Sequence, residues 1–252
     1  MIEVKNISKA YGSKKVVDNI SFTIPKGSVT SFIGPNGAGK STILSMISKI
    51  LSRDSGEVYI EGKEVSKWTT EELSKKVAFL KQMNHINIRL TVEDLVGFGR
   101  FPYSQGRLTM EDKQKVEEAI VYMELEDIRT KFLDELSGGQ RQRVYIAMVI
   151  AQDTDYILLD EPLNNLDIRY CVQIMKILRR LVDEMGKTIV IVIHDINFAS
   201  FYSDYILALK EGKEAYIGRV DQIMTSQKMS ELYDVDFRVM DVEDKKLCMY
   251  YQ

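Results

Sequence analysis

Cysteine, proline, histidine and tryptophan are scarce in this 252-residue chain, at two, four, two and one. The two cysteines, Cys171 and Cys248, have no metal-ligand spacing and cannot build a disulfide framework. Both read as reduced packing residues of a cytosolic protein. Long apolar runs are missing. The longest, Val144 to Ala151, has eight residues, against about 20 for a bilayer-spanning helix, so the chain is not expected to cross a membrane by itself. Met1-Ile2-Glu3-Val4-Lys5 lacks the basic-then-apolar pattern of a secretion signal. An excess of positive charge is also absent. Lys and Arg number 34 against 37 Asp and Glu, a net charge of −3, so no broad basic face for nucleic acid is expected. There is no repeat, low-complexity tract or Gly/Ser linker. The remaining composition, 45% apolar and 28% charged, is that of a folded globular chain and excludes disorder, collagen and coiled coil. The length suits one large domain, or one domain with a lobe.

Apolar and polar residues alternate in Ile2 to Ile7, Ile20 to Ile24 and Glu57 to Ile60, as in half-buried antiparallel strands. Three later runs, Val29 to Ile33, Tyr156 to Leu159 and Ile189 to Ile193, are apolar on both faces and read as central strands of a parallel sheet. Helical patterns separate them, among them Val172 to Met185 with Ile174, Ile177, Leu178 and Leu181 on one face. Strand, helix and strand at this spacing make an α/β core. Residues 91–135 contain no strand-like run. Thr109 with Asp112 forms a capping-box pattern ahead of Val116, Ile120 and Met123 at helical spacing, so this section reads as an inserted helical lobe. From Tyr205 the pattern is a hairpin (Tyr205 to Lys210, a turn at Glu211-Gly212, Ala215 to Gly218), then a short helix and a strand-like tail.

Gly34-Pro35-Asn36-Gly37-Ala38-Gly39-Lys40-Ser41-Thr42 matches the phosphate-loop pattern, directly after the strand Val29 to Ile33 and before a helical stretch, Thr42 to Ile50. Its glycines let the backbone curl with N–H groups inward around phosphate oxygens, and the following helix turns its positive end to the same anion. Lys40 is placed to reach the terminal phosphates, and the Ser41 hydroxyl to ligate Mg²⁺.

A second glycine cup, Leu136-Ser137-Gly138-Gly139-Gln140, precedes the apolar helix Val144 to Ala151, with Ser137 as its N-cap. Tyr156 to Leu159 runs into Asp160-Glu161-Pro162, two carboxylates at the carboxyl end of a buried strand, where open α/β sheets gather their functional groups. Asp160 suits Mg²⁺ held through water, and Glu161 suits a general base for the attacking water. A solvated acidic turn is the alternative. His194 ends the strand Ile189 to Ile193 and could orient that water, or simply cap a helix or fill core space. His85, the other histidine, reads as surface. Gln82 follows the strand Val77 to Leu80 and offers a carbonyl to Mg²⁺ or water. Tyr11 can stack on a purine ring or lie idle on the surface.

In this order the set resembles the ATP-binding subunit of an ABC transporter, from Val4 to about Gly218. The residues carrying the likeness are the aromatic Tyr11, the Walker A loop Gly34 to Thr42, the Q-loop Gln82 and the signature Leu136 to Gln140. Walker B Tyr156 to Asp160, then Glu161, the D-loop Asn164-Asn165-Leu166-Asp167 and the switch His194 complete it. The D-loop departs from the family's Ser-Ala-Leu-Asp at its first two positions but keeps Asp167. The resemblance implies a P-loop ATPase core with a mostly parallel sheet, an N-terminal antiparallel β subdomain and an inserted α-helical subdomain. It implies one nucleotide-binding domain over 1–252: core and β subdomain at about 1–90 and 136–218, helical subdomain at about 91–135, tail at about 219–252. It further implies ATP and Mg²⁺ (Ser41, Gln82, Asp160) as ligands, with Lys40, Glu161 and His194 catalytic. Two copies would pair head to tail, with Walker A of one facing Ser137, Gly138, Gly139 and Gln140 of the other.

The stretches Phe98-Gly99-Arg100-Phe101-Pro102-Tyr103, Ile150 to Thr154 and His194 to Ala199 resemble the importer branch serving iron(III)–siderophore complexes, with haem and vitamin B12 as related cargoes. Their details are most similar to Gram-positive petrobactin or catecholate systems. The resemblance implies membrane-spanning permease subunits, an extracellular binding protein as indirect partner, and a place at the cytoplasmic face of the cell membrane. A groove in the helical lobe would receive a short helix of the permease. Phe98, Phe101 and Tyr103 are candidates for that contact or for packing within the lobe. A soluble ABC protein acting on ribosomes or DNA, or another cargo, is the alternative.

Overall fold

In this computed structural model, which describes residues 1–82, 88–164 and 166–251, the alternating N-terminal segments form one sheet. Strands β1 (Ile2–Tyr11) and β2 (Lys14–Ile24) pair antiparallel, with Ile2 opposite Ile24 and Val4 opposite Phe22. The second sheet begins with β3 (Val29–Ile33), which runs into helix α1 (Lys40–Ile47). The helix starts inside the glycine loop and stops short of the Ile50 expected from sequence, because Lys49 adopts a left-handed conformation (φ 62°) that ends the ladder. Strands β4 (Ser55–Ile60) and β5 (Lys63–Glu64) complete the first sheet in the order β2-β1-β4-β5. Helix α2 (Thr70–Ser74) leads to β6 (Val77–Leu80).

The lobe follows: α3 (Val92–Phe98), α4 (Phe101–Ser104) and α5 (Met110–Tyr122). Thr91 with Asp94 and Thr109 with Asp112 close reciprocal capping boxes on α3 and α5. No strand occurs in 91–135 among the described residues, and a single bridge, Thr91 to Phe132, ties the lobe's entry to its exit. Buried Arg100 donates to Asp112 at 2.9 Å and to the Ala151 carbonyl at 2.9 Å, fixing the lobe to the end of α6 (Gly138–Ala151).

Strands β7 (Tyr156–Asp160) and β8 (Thr188–Val192), separated by α7 (Ile168–Met185), give the core sheet its centre. After α8 (Ile196–Tyr202), the hairpin β9 (Tyr205–Lys210) and β10 (Lys213–Arg219) closes the order β10-β9-β3-β8-β7-β6. All neighbours are parallel except β9 and β10. The strands are apolar on both faces because both faces are covered. Val190 and Val192 point into the core shared with α1 and the first sheet, whereas Ile189 and Ile191 point toward α6, α7 and the lobe. Each aliphatic side chain so removed from water contributes about 1.5–3 kcal/mol.

The tail is richer than the sequence pattern indicated. It holds two helices, α9 (Val220–Ile223) and α10 (Ser226–Tyr233), and a separate hairpin, β11 (Arg238–Val242) with β12 (Lys245–Met249). The expected single helix and strand missed this because β11 is mostly exposed and carries no clear apolar alternation. The readings of His85 and Asn165 fall outside the described residues.

Candidate functional site

Parallel strands deliver their carboxyl ends to one edge, and the site is built there. At the end of β3, Gly34 has φ 133°, and a Cβ at this position would lie 2.0 Å from the Leu209 carbonyl oxygen, so only glycine fits. Pro35 to Gly39 then curl outward, with Asn36 and Gly37 exposed and Ala38 and Gly39 buried. Lys40, only 4% exposed, folds back across the curl. Its Nζ donates to the Gly34 carbonyl at 2.7 Å and the Pro35 carbonyl at 2.9 Å. Burial pushes its pKa down, against the pull of Glu161 and Asp160. In this arrangement the Lys40 ammonium is satisfied by the loop's own carbonyls.

One residue on, Ser41 donates from Oγ to Asp160 Oδ1 at 2.7 Å, joining the start of α1 to the end of β7. Burial raises the Asp160 pKa, and the Ser41 hydrogen bond opposes that shift. A hydroxyl and a carboxylate side by side are oxygen donors of the type a hard divalent cation takes. Among the described residues no group of three His, Cys, Asp or Glu side chains could hold a metal. Tyr11, 54% exposed, shares a cavity of about 410 Å³ with Ser41, Thr42, Gln82 and Asp160.

Glu161 occupies a left-handed conformation (φ 51°), rare for a residue with a Cβ, which turns its side chain back along the sheet edge. Oε1 lies 2.7 Å from His194 Nε2. Oε2 accepts from Gln82 Nε2 at 2.5 Å and from Asn164 Nδ2. Strands β6, β7 and β8 are adjacent, so residues 82, 161 and 194 meet although 79 positions separate the first two. Gln82 meets the carboxylate through its amide nitrogen, and its carbonyl is the part still suited to a cation. Asn164 was not singled out as a partner of Glu161. Its position three residues on, inside a turn, is the signal that could have found it.

The structure does not bring the second glycine cup to this cavity. Ser137 caps α6: its Oγ accepts from the Gln140 N–H at 3.2 Å, and Gln140 Oε1 accepts from the Ser137 N–H at 3.0 Å. Ser137 and Gly138 are exposed, and Cβ at Gly138 would meet no described atom within 4 Å. Gly139 differs. A Cβ there would lie 2.7 Å from the Tyr170 ring, so this glycine has a packing reason inside its own chain. Asp167 is exposed and starts α7, whose Tyr170 and Cys171 N–H groups bond its carbonyl. In the lobe, Phe98 and Phe101 are 48% and 56% exposed and line a groove of about 640 Å³ with Gly97, Leu90, Leu108 and Val116. Tyr103 turns away from that groove, under the Arg100 guanidinium at 4.0 Å from its ring centroid.

Comparison with known proteins gives a consistent set. The family model described as ABC transporter matches residues 17–164. The chain is similar to the petrobactin import ATP-binding protein YclP of Bacillus subtilis (strain 168), 58% identical with 100% of both chains covered. It is 48% identical to the petrobactin import ATP-binding protein FatE of Bacillus anthracis, over 95% of this chain and 96% of that one. Among solved structures, the dimeric bacterial ABC transporter cassette MJ0796 superposes with a TM-score of 0.78 at 34% identity, covering 87% of this chain and 99% of that one.

Proposed function

The chain belongs to the ABC transporter family as an ATP-binding ATPase subunit, and from that premise we propose that it energises import of an iron(III)–siderophore complex of the petrobactin class. The observation that carries the chemistry is the triple hold on Glu161. A carboxylate clasped by His194, Gln82 and Asn164, beside the Ser41–Asp160 pair, supports the general-base reading. The cargo reading is supported by the two petrobactin import relatives, which are similar over nearly their whole length.

In this reading Tyr11 stacks on the adenine, and the backbone N–H groups of the loop after Pro35, on to Thr42, surround the phosphates. Lys40 exchanges its two carbonyl partners for phosphate oxygens. Ser41, Asp160 and the Gln82 carbonyl would hold Mg²⁺, which when bound neutralises phosphate charge. Glu161 takes a proton from water as the water oxygen bonds to the γ-phosphorus and the bond to the bridging oxygen breaks. His194 keeps the carboxylate aimed. Phosphate and ADP leave.

The outward-facing Ser137 and Gly138, remote from their own chain's cavity, suit a second copy's nucleotide. Two chains would then close on two ATP molecules and open after hydrolysis. The Phe98–Phe101 groove suits a short helix of a membrane-spanning permease, and the extracellular binding protein acts through that permease. No described helix is long and apolar enough to cross a membrane, so the permease would hold this chain at the cytoplasmic face. Uptake of radiolabelled ferric petrobactin by a strain lacking this gene tests the cargo. Loss of that uptake, restored by the parent gene and not by Glu161→Gln, is expected. Undiminished uptake of every ferric chelate overturns it.

A further inference from the structure

The tail touches the site at two points. Tyr233, on α10, accepts a hydrogen bond at its hydroxyl from the Gly34 N–H, 3.1 Å away and 199 positions earlier in the chain. Gly34 is wedged on its other side by the Leu209 carbonyl, so the first residue of the phosphate loop is held between a core strand and the tail. Burial pushes the Tyr233 hydroxyl up to about 12, so it stays neutral at any working pH.

The second point is α8, which begins two residues after His194. The Asn197 side chain clasps the backbone of Cys248 in β12 from both ends. Nδ2 donates to its carbonyl at 3.2 Å, and Oδ1 accepts from its N–H at 2.8 Å. Ser200 adds a bond from Oγ to the Lys246 carbonyl at 2.6 Å. Asp195, adjacent to His194, caps the same helix. Through Asp195, α8 is joined directly to the residue that contacts Glu161.

The two points are mechanically joined. Tyr233 packs on Phe237 with ring centroids 5.8 Å apart, and Phe237 packs on Tyr250 at 5.1 Å, just past β12. Lys210 of β9 anchors α10 through the Glu231 carbonyl and the Asp234 carboxylate.

We propose that the tail, 219–251, is an intrachain brace of the nucleotide site, in which Tyr233 is a positioning residue for the phosphate loop and Asn197 with Ser200 positions the His194–Glu161 pair. The brace presupposes the ATPase reading. It separates ATP affinity from turnover. Loosening Tyr233 disorders the loop that receives phosphate. Loosening α8 leaves the loop intact and misplaces the base.

The test uses the full chain and two near-isosteric variants, Tyr233→Phe and Asn197→Leu, with steady-state ATPase kinetics and titration of a fluorescent ATP analogue. Tyr233→Phe is expected to weaken nucleotide affinity and raise KM about three- to tenfold with kcat close to the parent's. Asn197→Leu is expected to lower kcat about tenfold or more with affinity retained. If both variants lose only thermal stability and keep the parent's KM, kcat and analogue affinity, the contacts are packing alone and the brace is overturned. A parent chain that binds the analogue and hydrolyses no ATP overturns the ATPase reading instead, and unchanged analogue affinity in Tyr233→Phe overturns the brace separately.

Discussion

Nε2 of His194 and Oε1 of Glu161 stand 2.7 Å apart across the ends of two neighbouring parallel strands. The contact exists because β7 and β8 run in register, Leu159 opposite Ile191 and Asp160 opposite Val192, so the residues that follow them leave the sheet side by side. His194 holds one carboxylate oxygen while Gln82 and Asn164 hold the other. His194→Ala is therefore expected to lower kcat by about 10²-fold, the cost of a misaimed base, with ATP affinity close to the parent's. Stopped-flow phosphate release and analogue titration check it. Equal losses in affinity and rate would make His194 a binding group instead.

The Ser41–Asp160 hydrogen bond sets side by side the two oxygen donors that the proposed function gives to a divalent cation. Asp160→Asn keeps shape and hydrogen-bonding capacity but removes the charge. The Mg²⁺ concentration for half-maximal hydrolysis is expected to rise more than about tenfold, and chelation of Mg²⁺ should stop hydrolysis in the parent while nucleotide still binds. A parental Mg²⁺ requirement in the variant contradicts this assignment.

Gly138 and Gly139 look equivalent in sequence and are not so in space. Gly139→Ala drives a methyl into the Tyr170 ring and is expected to cost about 1–3 kcal/mol of stability. Gly138→Ala meets open space, so thermal unfolding should be unchanged or slightly raised, whereas ATP-dependent pairing of two chains should weaken. Equal thermal losses in the two variants would remove the distinction.

Cys248 is 2% exposed, and burial pushes its thiol up to about 11 from 9.0. Above pH 9 the unfolded thiol ionises while the folded one stays neutral. The stabilising contribution is complete below pH 9 and is lost as pH rises through about 11. Thermal unfolding between pH 8 and 11 should therefore fall more steeply for the parent than for Cys248→Ala. Parallel curves would contradict the burial cause.

Motifs short in sequence were legible, and contacts long in sequence were not. The Ser137 N-cap, the Thr109–Asp112 capping box, the buried strands and the strand-end places of Gln82, Glu161 and His194 follow from local pattern and parallel-strand logic. Lys40 could be placed, but its turn onto the Gly34 and Pro35 carbonyls could not, since that depends on how the loop satisfies an ammonium without phosphate. The packing reason for Gly139 could not be read locally, because the ring that excludes a side chain there belongs to α7. Tyr233 gave no sign at all, for nothing in a short amphipathic helix announces a hydrogen bond to a glycine 199 positions away.

The shared pocket is tested most directly by light scattering of Glu161→Gln loaded with ATP, with a cross-linking ATP analogue reporting the neighbours of its γ-phosphate. The expected result is a particle of twice the chain mass, with the analogue attached to the Ser137–Gly139 segment of the opposite copy. A variant that binds ATP yet stays single, with that segment unlabelled, contradicts it.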